Sequence, residues 1–95
     1  MPIFVALGRA TDDGVRNLEG FALRHKRAVE RAEKRGVKML ASYAVMGPYD
    51  YVVILESPDA KTALRVLSIE ASGGNVRYET YPAFTIEEFA EIVMP

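Results

Sequence analysis

The 95-residue chain contains no cysteine. A disulfide framework, a thiolate nucleophile and a Cys-ligated metal are therefore excluded, and such a composition suits a reducing cytoplasm. Histidine occurs once, at His25. Zinc sites usually take three or four protein ligands, and no second ligand stands at i,i+4 from His25, so no metal is expected. No apolar run reaches the ~20 residues that span a bilayer, and the N-terminus lacks a charged-then-apolar signal pattern. No membrane role is expected. No glycine-rich loop opens a helix. Gly73-Gly74 closes one, the wrong polarity for holding phosphate, and nothing else asks for a cofactor. The serines at 42, 57, 68 and 72 have no flanking nucleophile-elbow glycines. A formal charge of -1 argues against general nucleic-acid binding.

What is present reads as one domain over residues 1–95. A chain this short buries one modest core, so a ligand cavity is expected between subunits rather than inside one. Charge is unevenly divided. Residues 1–38 hold nine Lys or Arg against five acids, and residues 39–95 hold three against eight. Complementary halves of this kind help copies attract and orient one another.

Ile3 to Gly8 is an unbroken apolar run, which predicts a central strand buried on both faces. Thr11 is a good helix cap, with Asp12 and Asp13 in the first turn. The helical region extends to Arg35 and stops at Gly36. Gly20 lies inside it at a cost of roughly 1 kcal/mol, so a kink or break is expected there. Val15, Leu18, Ala22, His25, Val29 and Ala32 form one apolar face. Val37 to Met46 and Tyr49 to Glu56 read as strands, joined by Gly47-Pro48-Tyr49. Ser57-Pro58-Asp59 opens a helix, with Ser57 as its cap, Pro58 at the first helical position and Asp59 in the first turn, and its core stripe is Ala60, Ala63, Leu64, Leu67 and Ala71. Asn75 to Tyr81 is the last strand, ended by Pro82. Thr85 to Glu88 is a capping box for a short final helix, with Phe84 and Phe89 as a hydrophobic staple.

The order is β-α-β-β-α-β plus a helix, a split βαβ arrangement with both main helices on one face of a four-stranded antiparallel sheet. The fold class is α+β. The strands carry apolar residues at both parities, for example Val5 and Leu7 against Phe4 and Ala6. A sheet wetted on one side would alternate cleanly. The second face must be covered, and the economical cover is a second copy.

Several residues stand out from this background. Gly47-x-Tyr49-Asp50 between strands, followed by Glu56-x-Pro58-Asp59, resembles the GYD-domain family of small bacterial and archaeal proteins. Thr11-x-x-Gly14, Arg24, Gly74-Asn75-Val76-Arg77-x-x-Thr80 and Ala83-Phe84 follow in the matching order, so the likeness spans nearly the whole chain. One departure is Phe21-Ala22, where the family often has Ser or Thr followed by Pro. The resemblance implies a ferredoxin-like domain that dimerises into an α+β barrel, and it implies no particular activity.

Candidate site residues follow from chemistry. Asp50, flanked by Tyr49 and Tyr51, reads either as a turn-stabilising acceptor or as a carboxylate at a pocket mouth. His25 on the helix stripe reads as a packed, hydrogen-bonded histidine or as a proton acceptor. Arg77 and Glu79 share one strand face and would be a charge pair or polar anchors in an apolar cavity. Tyr43 and Arg24 complete the set. Three functions are weighed. The first is a small-molecule-binding homodimer, or a larger ring of dimers, with its site in or at the mouth of the barrel. The second is a cofactor-free enzyme of monooxygenase-like or isomerase-like type, with Asp50 or His25 as acid or base. The third is a ligand-free assembly or regulatory module.

Overall fold

The computed structural model describes residues 1–95. The elements are β1 (Ile3–Ala10), α1 (Asp12–Arg16), a 3₁₀ turn (Leu18–Gly20), α2 (Phe21–Lys34), β2 (Lys38–Ala44), β3 (Tyr51–Glu56), α3 (Ala60–Ser72), β4 (Val76–Ala83) and α4 (Ile86–Ile92). The strands form one antiparallel sheet in the order β2-β3-β1-β4. The fold is α+β and ferredoxin-like, and β1 is central. α2 packs over β2, and α3 over β4.

Strand parity divides the sheet into two faces. Phe4 and Ala6 of β1 and Val53 and Leu55 of β3 are buried against the helices. They meet Ala32 of α2 and Ala63, Val66 and Leu67 of α3, with Val37 closing the end. Alanines at the helix contacts let the helices lie close to the sheet at this end. The opposite parity, Ile3, Val5, Leu7, Val52 and Ile54, is only half-buried, and no element of this chain covers it.

Local chemistry accounts for the boundaries. The helical region does break at Gly20, where the 3₁₀ turn ends and α2 begins. The inward face of α2 differs from the expected stripe. Of that stripe Ala32 is buried and His25 and Val29 are half-buried, with Ala28 beside them, whereas Ala22 is exposed, and Val15 and Leu18, which precede the break at Gly20, are exposed outside α2. On α3 the buried line is Ala63, Val66 and Leu67, and Leu64 faces solvent. The α3 cap is Asp59, which accepts from the Thr62 N–H at 2.7 Å. Ser57 is instead fully buried, donating its hydroxyl to the Asp59 carbonyl. β4 runs through Pro82 to Ala83, which an edge strand tolerates because one side of it needs no donor. The Thr85–Glu88 capping box is complete. Phe84 and Phe89 are both exposed.

Candidate functional site

Two polar clusters flank the sheet, one on each face. The first lies at the turn between β2 and β3. Gly47 sits at φ 121°, a conformation that favours glycine. Asp50 ties this turn to β1. Its backbone N–H donates to the Gly8 carbonyl and its Oδ2 accepts from the Ala10 N–H, both at 2.8 Å. The carboxylate thus holds the end of β1 against the start of β3.

Next to it, on the open face, Glu79 Oε2 accepts from the hydroxyls of Tyr49 at 2.8 Å and Tyr81 at 3.0 Å. Arg9 lies 3.5 Å from Glu79 Oε1 and donates through Nε to the Pro48 carbonyl. Its guanidinium sits 4.4 Å from the centre of the Tyr49 ring. The two phenolic hydrogen bonds hold the Glu79 carboxyl below its ordinary range, and the bond to Glu79 pushes each phenol up. Arg77 pairs with Arg9 across the strands but not with Glu79. Every member except Arg77 has its partner inside the cluster. Arg9 was not singled out from sequence, although its signal was there as the next open-face position after Leu7. Tyr43 lies on the same face, exposed, opposite Val52.

The second cluster lies on the helix side, inside a single chain. This differs from the expectation of a cavity between subunits. α2 and α3 are tied at one point, where Arg31 makes two bonds of 2.9 and 2.8 Å to Glu70. Toward the start of α2 the residues facing the sheet are Phe21, Arg24 and His25, too polar and too large to close down as the alanines do. A cavity of about 380 Å³ remains between α2, the end of α3 and strands β2, β3 and β4. The Phe21 ring stacks on both His25 (centroids 5.8 Å apart) and Tyr51 (5.3 Å), forming an aromatic wall. Val53, Ala28, Ile69 and Val76 supply apolar lining, and Ser42 and Asn75 polar lining.

Tyr78 lies across Gly8, where an added Cβ would come within 3.0 Å of the ring. Burial pushes its phenol up to about 12, with the charges of Glu70 and Tyr51 adding to the effect. The hydroxyls of Tyr49 and Tyr81 are bonded to Glu79, whereas those of Tyr51 and Tyr78 have no partner in the chain. No fully buried side-chain nitrogen or oxygen lacks a hydrogen bond. The Tyr78 hydroxyl therefore keeps some access to solvent, and its side chain borders both this cavity and a second hollow between α3 and β4. Arg24 at the rim donates to the Asn17 carbonyl at 2.7 Å and pairs with no carboxylate. Among the residues nominated from sequence, Arg24 and His25 come together here, with Tyr43 at the margin. Tyr49, Asp50 and Glu79 gather at the turn, whereas Arg77 lies on the outer side of β4 beside Ser68 and Ser72 of α3. Tyr51, Tyr78 and Glu70 could be placed only once the faces of β3, β4 and α3 were known. No group of three or more His, Asp or Glu side chains is arranged to hold a metal.

The two clusters share a support. Thr11 caps α1 by accepting from Gly14, donates its hydroxyl to the Gly74 carbonyl, and sends its N–H to the Asn75 carbonyl. Gly14 is pressed on that carbonyl so closely that a Cβ would lie 2.0 Å from it. Gly74, at φ 84°, turns the chain into this contact. The Thr11-x-x-Gly14 and Gly74-Asn75 elements of the sequence are thus two halves of one joint.

Comparison with known proteins agrees with this geometry. The GYD domain matches residues 4–93. The chain is 38% identical over 89 residues to a Thermus thermophilus protein named "Glutamine synthetase and cystathionine beta-lyase binding protein", covering 93% of this chain and 94% of that one. The crystal structure of TTHA0845 from Thermus thermophilus superposes with a TM-score of 0.57 at 24% identity. It covers 90% of this chain and 95% of that one, a likeness of fold. Joint, turn and strand order all fall within the matched span, and the chain belongs to the GYD-domain family.

Proposed function

We propose that this chain is a small-molecule-binding protein that works as a homodimer. Two copies pair through the half-buried apolar face formed by Ile3, Val5, Leu7, Val52 and Ile54, closing an α+β barrel. The Arg9–Tyr49–Glu79–Tyr81 cluster stands at the rim of that face. Because its groups satisfy one another, it suits contacts between copies better than ligand capture. The ligand is assigned to the helix-side cavity. Such a volume lies in the range of small-molecule sites, which are mostly apolar with a few convergent polar groups.

The observation that carries this reading is the pair Tyr51 and Tyr78, whose hydroxyls have no partner in the chain and whose side chains line an aromatic-walled space beside Arg24. Glu70 is neutralised by Arg31, so the cavity has a cationic excess. The matching chemistry is a small organic acid with a flat apolar body. The test is thermal denaturation with benzoate or phenylacetate, and with benzyl alcohol as the uncharged control. A ligand at 100 times its Kd adds about 2.7 kcal/mol of stability. The acids are expected to raise the Tm, and Arg24→Met and Tyr78→Phe to reduce the rise. A rise equal in both variants and wild type would place the ligand elsewhere.

A second reading is favoured by the relative's name. Binding to an enzyme of amino-acid metabolism would make this chain a regulatory subunit, acting in the cytoplasm, with the cavity ligand biasing the docking. Purified glutamine synthetase and cystathionine β-lyase, passed over the immobilised chain, test it. Retention that changes with benzoate supports the coupled form, and passage of both enzymes unretained counts against it.

A further inference from the structure

α4 is a helix with nothing to lie on. All seven of its residues are exposed, including Ile86, Phe89 and Ile92. The molecule measures 51 Å in its longest direction and 18 Å in its shortest. Isolated helices shorter than ~12–15 residues are marginal in water. A complete capping box and an apolar side on so short a helix therefore call for a surface.

Charge indicates which surface. From Phe84 to Pro95 the chain holds three glutamates, Glu87, Glu88 and Glu91, and no Lys or Arg. α2 carries five cations against two acids, and it begins beside Leu18 and Leu23, both 52% exposed. An acidic helix with an apolar side thus faces, in composition, a basic helix with exposed leucines. The topology separates the two within one chain. α4 leaves β4 at Ala83, which pairs with Ile3 at the start of β1. α2 begins after the other end of β1, about 23 Å away along the strand.

We propose that α4 docks in trans, laying Phe89 and Ile92 on the Leu18–Leu23 surface of a second copy, with Glu91 against Lys26 and Arg27. This rests on the pairing of copies proposed above and assigns the C-terminal segment a role in it. The arm of each subunit then braces the wall of its partner's cavity, because Phe21 and Arg24 belong to the same stretch of α2.

The absence of native cysteine makes the test clean. Chains carrying Lys26→Cys are mixed with chains carrying Glu91→Cys and oxidised, and linked dimers are read on a gel. Linkage in the mixture well above either chain alone is the expected result. The double variant Lys26→Cys/Glu91→Cys, oxidised at high dilution, tests docking in cis, and a linked monomer would overturn the proposal. Glu87 and Glu91 changed together to Lys, with the Glu88 cap left intact, should weaken self-association about tenfold or more, and Lys26→Glu with Arg27→Glu should restore it. Sedimentation of the wild-type chain separates the possible failures. A dimer without linkage sinks the arm and spares the pairing, whereas a monomer sinks both.

Discussion

Replacing Gly14 by alanine tests the joint that supports both clusters. The added methyl would sit 2.0 Å from the Asn75 carbonyl oxygen and 3.0 Å from its carbon. Real contacts of this kind are essentially never below 3.0 Å, so the two segments must part by about 1 Å. That stretches the Thr11 N–H bond to Asn75, now 3.1 Å, and disturbs the Thr11 hydroxyl bond to Gly74 and the Asn17–Asn75 amide pair at 3.2 Å. Two stretched bonds at about 1 kcal/mol each, with overpacking strain of about 2 kcal/mol, cost about 4 kcal/mol, or about 3 kcal/mol net of the propensity gain that follows. Alanine's better helix propensity returns at most about 1 kcal/mol. For a domain of this size a loss of about 3 kcal/mol lowers the Tm by roughly 10–25 °C. The assay is urea denaturation followed by circular dichroism, with the midpoint lowered and the m value unchanged. A variant within about 0.5 kcal/mol of wild type would refute the claim that this contact is tight.

Other expectations follow from the same geometry. In a spectrophotometric titration, Tyr78 should ionise near pH 12, and Tyr78→Phe should remove that step. Its folded pKa is raised, so its contribution to stability is intact below pH ~10 and is lost between there and about 12. Glu79, Asp59 and Glu88 have lowered pKa values, so their contributions are present above the usual carboxylate range and fade as acid protonates them. Ile54→Lys on the open face should yield a folded monomer, seen as a halved sedimenting mass with unchanged circular dichroism. An undiminished dimer would move the interface elsewhere.

Much of this architecture was legible from residue order alone. The unbroken run Ile3 to Gly8, the stop at Gly36, the break at Gly20 and the Thr85 capping box each act through local chemistry and need no partner. Apolar residues at both parities foretold an uncovered sheet face, and the structure shows which parity it is. Helix phase was less legible. The break at Gly20 rotates α2, and a single wheel drawn through Val15 and Leu18 cannot register that. The cap of α3 was less legible because Ser57 and Asp59 are both good caps, and tertiary contact with the Pro2 carbonyl holds Ser57 inside. The cavity was hidden because its hydroxyls come from strands 27 residues apart in sequence, at Tyr51 and Tyr78. Their convergence depends on register and on a glycine at position 8.

The central claim is that the Tyr51–Tyr78 cavity binds an organic acid. The most direct measurement is a ¹H–¹⁵N correlation spectrum of the chain titrated with benzoate. Saturable shifts at Arg24, His25, Tyr51 and Tyr78, diminished in Arg24→Met, are predicted. Shifts confined to the Tyr49–Glu79 turn, or none at any concentration, would contradict it.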